Sequence, residues 1–182
     1  MAKDVVFVDV ETTGLDPEKD SVVQIGVLRT DATGATVKSR LDIKVKPTTV
    51  MSPEAAAVNG YTEEGWVDAV DAETAANMLA SIAQGAEFAA HCVWFDHAFC
   101  TKLLERNRVR VPWGRRLIDT QTLAHLLRET QPAMQGTNLS SAIYALGGSR
   151  SAAHDAMEDA SWAREIYAWA MRTVLRSSEK AA

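Results

Sequence analysis

The run Val5-Val6-Phe7-Val8-Asp9-Val10-Glu11, closed by Thr12-Thr13-Gly14, constrains this chain more than any other stretch. β-Branched and aromatic residues ended by a turn signal predict a buried strand over 4–10. Successive side chains on a strand face opposite ways, so Asp9 and Glu11 point to one face while Val8 and Val10 point to the other. Two carboxylates about 4 Å apart repel by about 4 kcal/mol at an effective dielectric near 20. A fold built on this strand must therefore splay both acids into water or hold a cation against them.

Length and composition bound the rest. With 182 residues and 47% hydrophobic content, the chain can bury one α/β core, predicted as a single domain over 1–176 with a short polar tail at 177–182. The apolar stretches fall far short of a membrane span, and Met1-Ala2-Lys3-Asp4 leads into a strand rather than a signal-peptide core. The expectation is a soluble, cytoplasmic protein with no membrane partner. Cys92 and Cys100 have neither zinc-ligand spacing nor a disulfide framework and read as reduced thiols. A net charge of −5 argues at first against a polyanionic partner, but four carboxylates holding two divalent ions would bring −5 to −1, so the global sign decides little. Lys102, Arg106, Arg108, Arg110, Arg115 and Arg116 form a local basic run that reads equally as a solvated face or as a phosphate-binding rim.

Strand signals come early and helical signals late. Residues 4–10, 22–29 and 36–45 are predicted strands, with Asp31-Ala32-Thr33-Gly34 as a hairpin turn, which gives an antiparallel meander. Ser52-Pro53-Glu54 is a helix start, Asp71 caps a helix to about Gln84, and Gly85 ends it. A fourth strand is predicted over 87–92, a helix from Asp96 to Asn107, a short strand around Leu117 and Ile118, and a helix from Thr120 to Arg128. Thr137 is the predicted cap of a helix to Leu146, after a loop over 131–136, and the last helix is predicted from about Ala156 to Leu175.

Three further polar residues fall where this architecture would place a site. Asp96 follows the fourth strand and opens a helix, which suits either an N-cap or a charge facing the helix dipole near the end of the first strand. Asp159 sits in the first turn of the last helix. His154 lies five positions earlier, about 500° around a continuous helix, so the two could not share a face if both were helical. His154 must come from the loop before the helix, and its ordinary pKa near 6.5 suits it to accept a proton from water.

Taken together, Asp9-x-Glu11 with Thr12-Thr13-Gly14-Leu15, Phe95-Asp96, and His154-x4-Asp159 resemble the DEDDh family of 3′–5′ exonucleases, the group that includes proofreading exonuclease subunits, ribonuclease T and oligoribonuclease. The resemblance extends from Val5 to about Ala168 and takes in Gln24-Ile25-Gly26, Asn59-Gly60-Tyr61-Thr62, Ile118-Asp119-Thr120 and Thr137-Asn138-Leu139. It implies an α/β, ribonuclease H-like fold with a five-stranded mixed sheet flanked by helices. It also implies that Asp9, Glu11, Asp96 and Asp159 ligate two Mg²⁺ or Mn²⁺ ions, with His154 as the general base. Such ions can activate a water and stabilise a departing 3′ oxygen, releasing nucleoside 5′-monophosphates. Thr12, Thr13, Gly14, Leu15 and Phe95 match positions that approach the terminal nucleotide. His91 and Asn59 depart from the usual pattern, at positions that bear on substrate placement rather than metal binding.

The expected substrate is a single-stranded nucleic acid 3′ end, with DNA favoured over RNA. RNA or short oligonucleotides, and a binding module associated with a polymerase, are the other readings. The short tail points to a free-standing enzyme, as a homodimer or with a polymerase partner docked on the domain.

Overall fold

The computed structural model of the chain describes residues 2–130, 134–149 and 154–181, with side chains described to residue 176. Part of the predicted 131–136 loop, and the side chains of the predicted tail, lie outside the described residues.

Five strands, β1 (Val5–Thr12), β2 (Val22–Thr30), β3 (Val37–Lys44), β4 (Glu87–Ala90) and β5 (Leu117–Asp119), form one mixed sheet in the order β3-β2-β1-β4-β5. The pairs β1–β2 and β2–β3 are antiparallel, while β1–β4 and β4–β5 are parallel. This is the ribonuclease H-like sheet expected from the resemblance.

Alternation along β1 separates two cores. Val6, Val8 and Val10 pack with Leu79 of α2 (Ala72–Ala83) and with Phe99 and Leu104 of α3 (Val93–Arg106). Val5 and Phe7 face the other way, against Leu28, Ala89, and Met157 and Ala163 of α6 (Ala156–Ala181). Asp9 and Glu11 continue this second face, so both acids lie on the side of the sheet that α6 covers. The same helix packs with α4 (Thr120–Thr130) and α5 (Leu139–Ala145) through Ala124, Leu127, Ile143 and Ile166. Each full burial of a large aliphatic or aromatic side chain contributes about 1.5–3 kcal/mol, and these two layers hold β1 rigid from both sides.

Several element ends differ from expectation. β1 runs on to Thr12, which places Asp9 and Glu11 within the paired strand rather than at its end; Glu11 still faces Gln24 across the β1–β2 ladder. β4 stops at Ala90, because Cys92 turns into the left-handed region at φ 67° and the Cys92 and Val93 amides donate to Asp119 Oδ1 at 3.1 and 3.3 Å. That cap starts α3 at Val93, ahead of the predicted Asp96. Asn138, rather than Thr137, caps α5 by accepting the Ser141 amide at 2.9 Å. Ser52 caps α1 (Pro53–Asn59) and Asp71 caps α2, as predicted. α6 continues to Ala181, beyond the predicted end. Among the described residues no helix is long and apolar enough to cross a membrane.

Candidate active site

The parallel β1–β4 ladder pairs only as far as Phe7 with Ala89, so β1 outruns its neighbour. The Val10 amide beyond that point donates to Asp96 Oδ1 at 3.0 Å, and this bond seats Asp96 at the end of the sheet, one turn into α3 rather than at its N-cap. Asp96 is 3% exposed. Burial above all pushes its carboxyl well above the usual carboxylate range, the Val10 and Asp96 amides oppose this, and the Glu11 and Asp159 carboxylates add to it.

The opposite face supplies the other half. α6 carries Asp159 in its first turn, also 3% exposed, and Glu11 is buried beside it. His154 precedes the helix, as the spacing required. Its amide donates to the Val58 carbonyl of α1 at 3.1 Å, and its Nδ1 stands 3.8 Å from Asp159 Oδ2. Glu11, His154 and Asp159 each present a donor atom within 4.8 Å of the other two. Asp9, Glu11, Asp96, His154 and Asp159 all line one cleft of ≈ 920 Å³.

Most of the expected substrate contacts reach the same cleft. Thr12, Gly14, Leu15 and Phe95 line it, with Leu15 83% exposed and Phe95 packed on Phe99 at a ring separation of 4.8 Å. At Gly14 a Cβ would lie 2.4 Å from Asp20 Oδ2, so any larger residue there must displace that carboxylate. Thr13 does not line the cleft: it is fully buried, its Oγ1 accepts the Ser21 amide at 3.0 Å and bonds Thr49 Oγ1 at 2.9 Å, and it pins the turn.

Neighbouring polar residues have structural partners. Asp119 caps both α3 and α4, and Asp155 caps α6 by accepting the Glu158 amide at 2.9 Å. His97 stacks edge-on to Phe88, and burial lowers its pKa. The basic run is not a rim of this cleft. Lys102 pairs with Glu18 and Glu105, and the Arg106 guanidinium donates to the carbonyls of Pro17, Glu18 and Asp20, bracing the turn after Leu15. Arg116 pairs with Glu87 at 3.8 Å beside Val5, at the far end of β1 from the acids. Asn59 and His91, singled out in the sequence as bearing on substrate placement, line the cleft; sequence reasoning gave no site role to Asp20, Glu54, Asn138 and Ser140, which also line it, and of these Asn138 lay in a helix-start motif.

The donor set fits a divalent cation. Carboxylate oxygens are the preferred ligands of hard ions, and Glu11, His154 and Asp159 bring donor atoms within 4.8 Å of one another in the cleft that Asp9 and Asp96 also line. Such a sheet, with acids gathered in the C-terminal half of its central strand, defines the ribonuclease H-like class. Residues 6–167 match the family model RNase_T, an exonuclease family, and the chain belongs to that family, as its DEDDh motifs indicated. The PolC-type DNA polymerase III of Thermotoga maritima is 26% identical over 162 residues, covering 89% of this chain and 11% of that protein. Escherichia coli exonuclease I in complex with a dT13 oligonucleotide superposes with a TM-score of 0.78 at 20% identity, over 98% of this chain and 43% of that one. The moderately thermophilic exonuclease I of Methylocaldum szegediense gives 0.74 at 20% identity, over 90% and 39%. This chain thus spans about a ninth of the polymerase and less than half of each exonuclease I chain.

Proposed function

We propose that this chain is a 3′–5′ exonuclease that removes nucleoside 5′-monophosphates one at a time from single-stranded DNA ends. The observation that carries this reading is the convergence of Asp9, Glu11, Asp96, Asp159 and the off-helix His154 on one cleft, around a buried carboxyl raised by its surroundings. Asp9, Glu11, Asp96 and Asp159 would hold two Mg²⁺ or Mn²⁺ ions. When bound, such ions supply the positive charge that activates an attacking water and stabilises the departing 3′ oxygen.

The chain's own groups do the rest. His154 is exposed on the cleft side, so it can take the proton from the attacking water and return it to solvent. Leu15 and Phe95 flank the terminal base, and Thr12 and Gly14 line the cleft beside them. DNA is favoured over RNA because the relatives include PolC-type DNA polymerases, and exonuclease I has been captured with single-stranded DNA. The PolC likeness favours a proofreading setting, in which a mismatched, frayed 3′ end would be trimmed faster than a paired one.

End-labelled oligonucleotides with Mg²⁺ or Mn²⁺ provide the test. A ladder shortening from the 3′ end and abolished by EDTA is expected, and internal cuts alone would overturn the reading. Matched DNA and RNA strands run side by side decide the sugar preference, and tight binding without turnover in either metal would instead establish a binding module.

A further inference from the structure

Gln24 is 5% exposed, a buried amide on β2 that lies directly across the ladder from Glu11. Opposed residues of an antiparallel pair share a face, so Gln24 stands on the side of the sheet that α6 covers. Its Nε2 donates to Asp155 Oδ2 at 3.1 Å and to Asp42 Oδ1 at 3.2 Å. The other oxygen of Asp155 accepts the Glu158 amide at 2.9 Å, and the Asp155 carbonyl accepts the Asp159 amide at 2.9 Å. Two positions along β2, Gly26 faces Asp9, and a Cβ there would lie 2.3 Å from the Ala156 carbonyl carbon and oxygen. The first turn of α6 therefore rests on bare β2 backbone at Gly26 and is tied to it by one buried amide at Gln24.

We propose that the Gln24–Asp155 bond, working with the Gly26 contact, is a positioning clamp that sets the first turn of α6 against β1. It thereby fixes His154, immediately before Asp155, and Asp159, one helical turn after it, relative to Asp9 and Glu11. Neither Gln24 nor Asp155 touches the reacting atoms in this scheme. Their contribution is registration, and displacing a reacting group by about 1 Å costs about 10²-fold in rate. The donor is committed: turning the Gln24 amide over would aim its oxygen at two carboxylates. The effect on rate rests on the nuclease reading of the site, whereas the effect on α6 does not.

The test is a charge-pattern swap. Gln24→Glu sets a third carboxylate between Asp155 and Asp42, and a loss of kcat by about 10²-fold with little change in KM is expected. Asp155→Asn keeps the helix cap through Oδ1 but turns a second amide toward Gln24, and a smaller loss is expected. The double variant restores a donor and an acceptor between positions 24 and 155 but leaves the new carboxylate facing Asp42, so a partial recovery of kcat, well above the product of the two single losses, is expected. A double variant as slow as the product of the two single losses would overturn the clamp.

Amide hydrogen exchange gives a readout that needs no turnover. Protection of the Glu158 and Asp159 amides should fall in Gln24→Glu and return in the double variant, while amides in the middle of α6 keep theirs. A uniform loss of protection along α6, or none at Glu158 and Asp159, would overturn the proposal. If the parent chain degrades no nucleic acid, the nuclease reading fails and exchange alone judges the clamp.

Discussion

Asp96 accepts the amide that β1 leaves over where β4 ends, and it does so beside two other acids. A buried carboxylate without a counter-ion is costly, so Asp96→Asn, which keeps an oxygen for the Val10 amide, should abolish turnover yet raise the melting temperature of the metal-free protein. Calorimetry without metal checks the second half. The pH dependence follows from the same carboxyl. Its folded-state pKa is raised, so its stabilising contribution to the metal-free fold is full below the ordinary carboxylate value and is lost as pH rises through the folded value. A bound cation favours the ionised form, so the gain in melting temperature on adding Mg²⁺ or Mn²⁺ should be larger at pH 8 than at pH 5. His154 lies within reach of Glu11 and Asp159 and on the solvent side. His154→Ala should slow turnover by roughly 10²- to 10⁴-fold while titration calorimetry shows Mn²⁺ affinity held within a few-fold. A matching fall in affinity would make it a ligand instead of a base. Among single residues, the shared face of Asp9 and Glu11 was legible because strand period alone sets it. Thr13 was not, since its neighbours Ser21 and Thr49 come from elsewhere in the chain.

At the scale of elements, Asp119 joins two helix starts. Oδ1 accepts the Cys92 and Val93 amides at the head of α3, and Oδ2 accepts the Thr122 amide and hydroxyl in the first turn of α4. Helix caps are worth about 1 kcal/mol each, so Asp119→Ala should destabilise the fold by about 2 kcal/mol in urea denaturation, without altering the carboxylate set. This junction also explains the misplaced start of α3. Sequence signals for helix starts are local, whereas this cap reaches across from the end of β5. The starts of α1 and α2 were legible because Ser52 and Asp71 cap their own helices three residues on.

At the scale of the whole molecule, the cleft has one sign of charge. Six carboxylates, of Asp9, Glu11, Asp20, Glu54, Asp96 and Asp159, line it, and among the described residues no Lys or Arg does. A polyanion entering such a cleft meets repulsion until cations are bound. Oligonucleotide binding followed by fluorescence anisotropy, using Asp9→Asn to suppress turnover, should therefore weaken sharply on adding EDTA. Binding unchanged by EDTA would place the substrate's main contacts outside the cleft.

The sequence by itself determined the sheet-forming strands, the facing of Asp9 and Glu11 and the off-helix origin of His154, because each follows from the period of a single element. Only the tertiary structure decided which residues meet. Asp96 reaches Val10 because β4 stops short, and Asp159 reaches Glu11 because α6 lies against Gly26 and Gln24. Arg106 and Lys102 of the basic run turned to bracing the turn after Leu15 because α3 lies beside it. Such encounters depend on where separate elements come to rest against one another, and backbone periodicity carries no record of that.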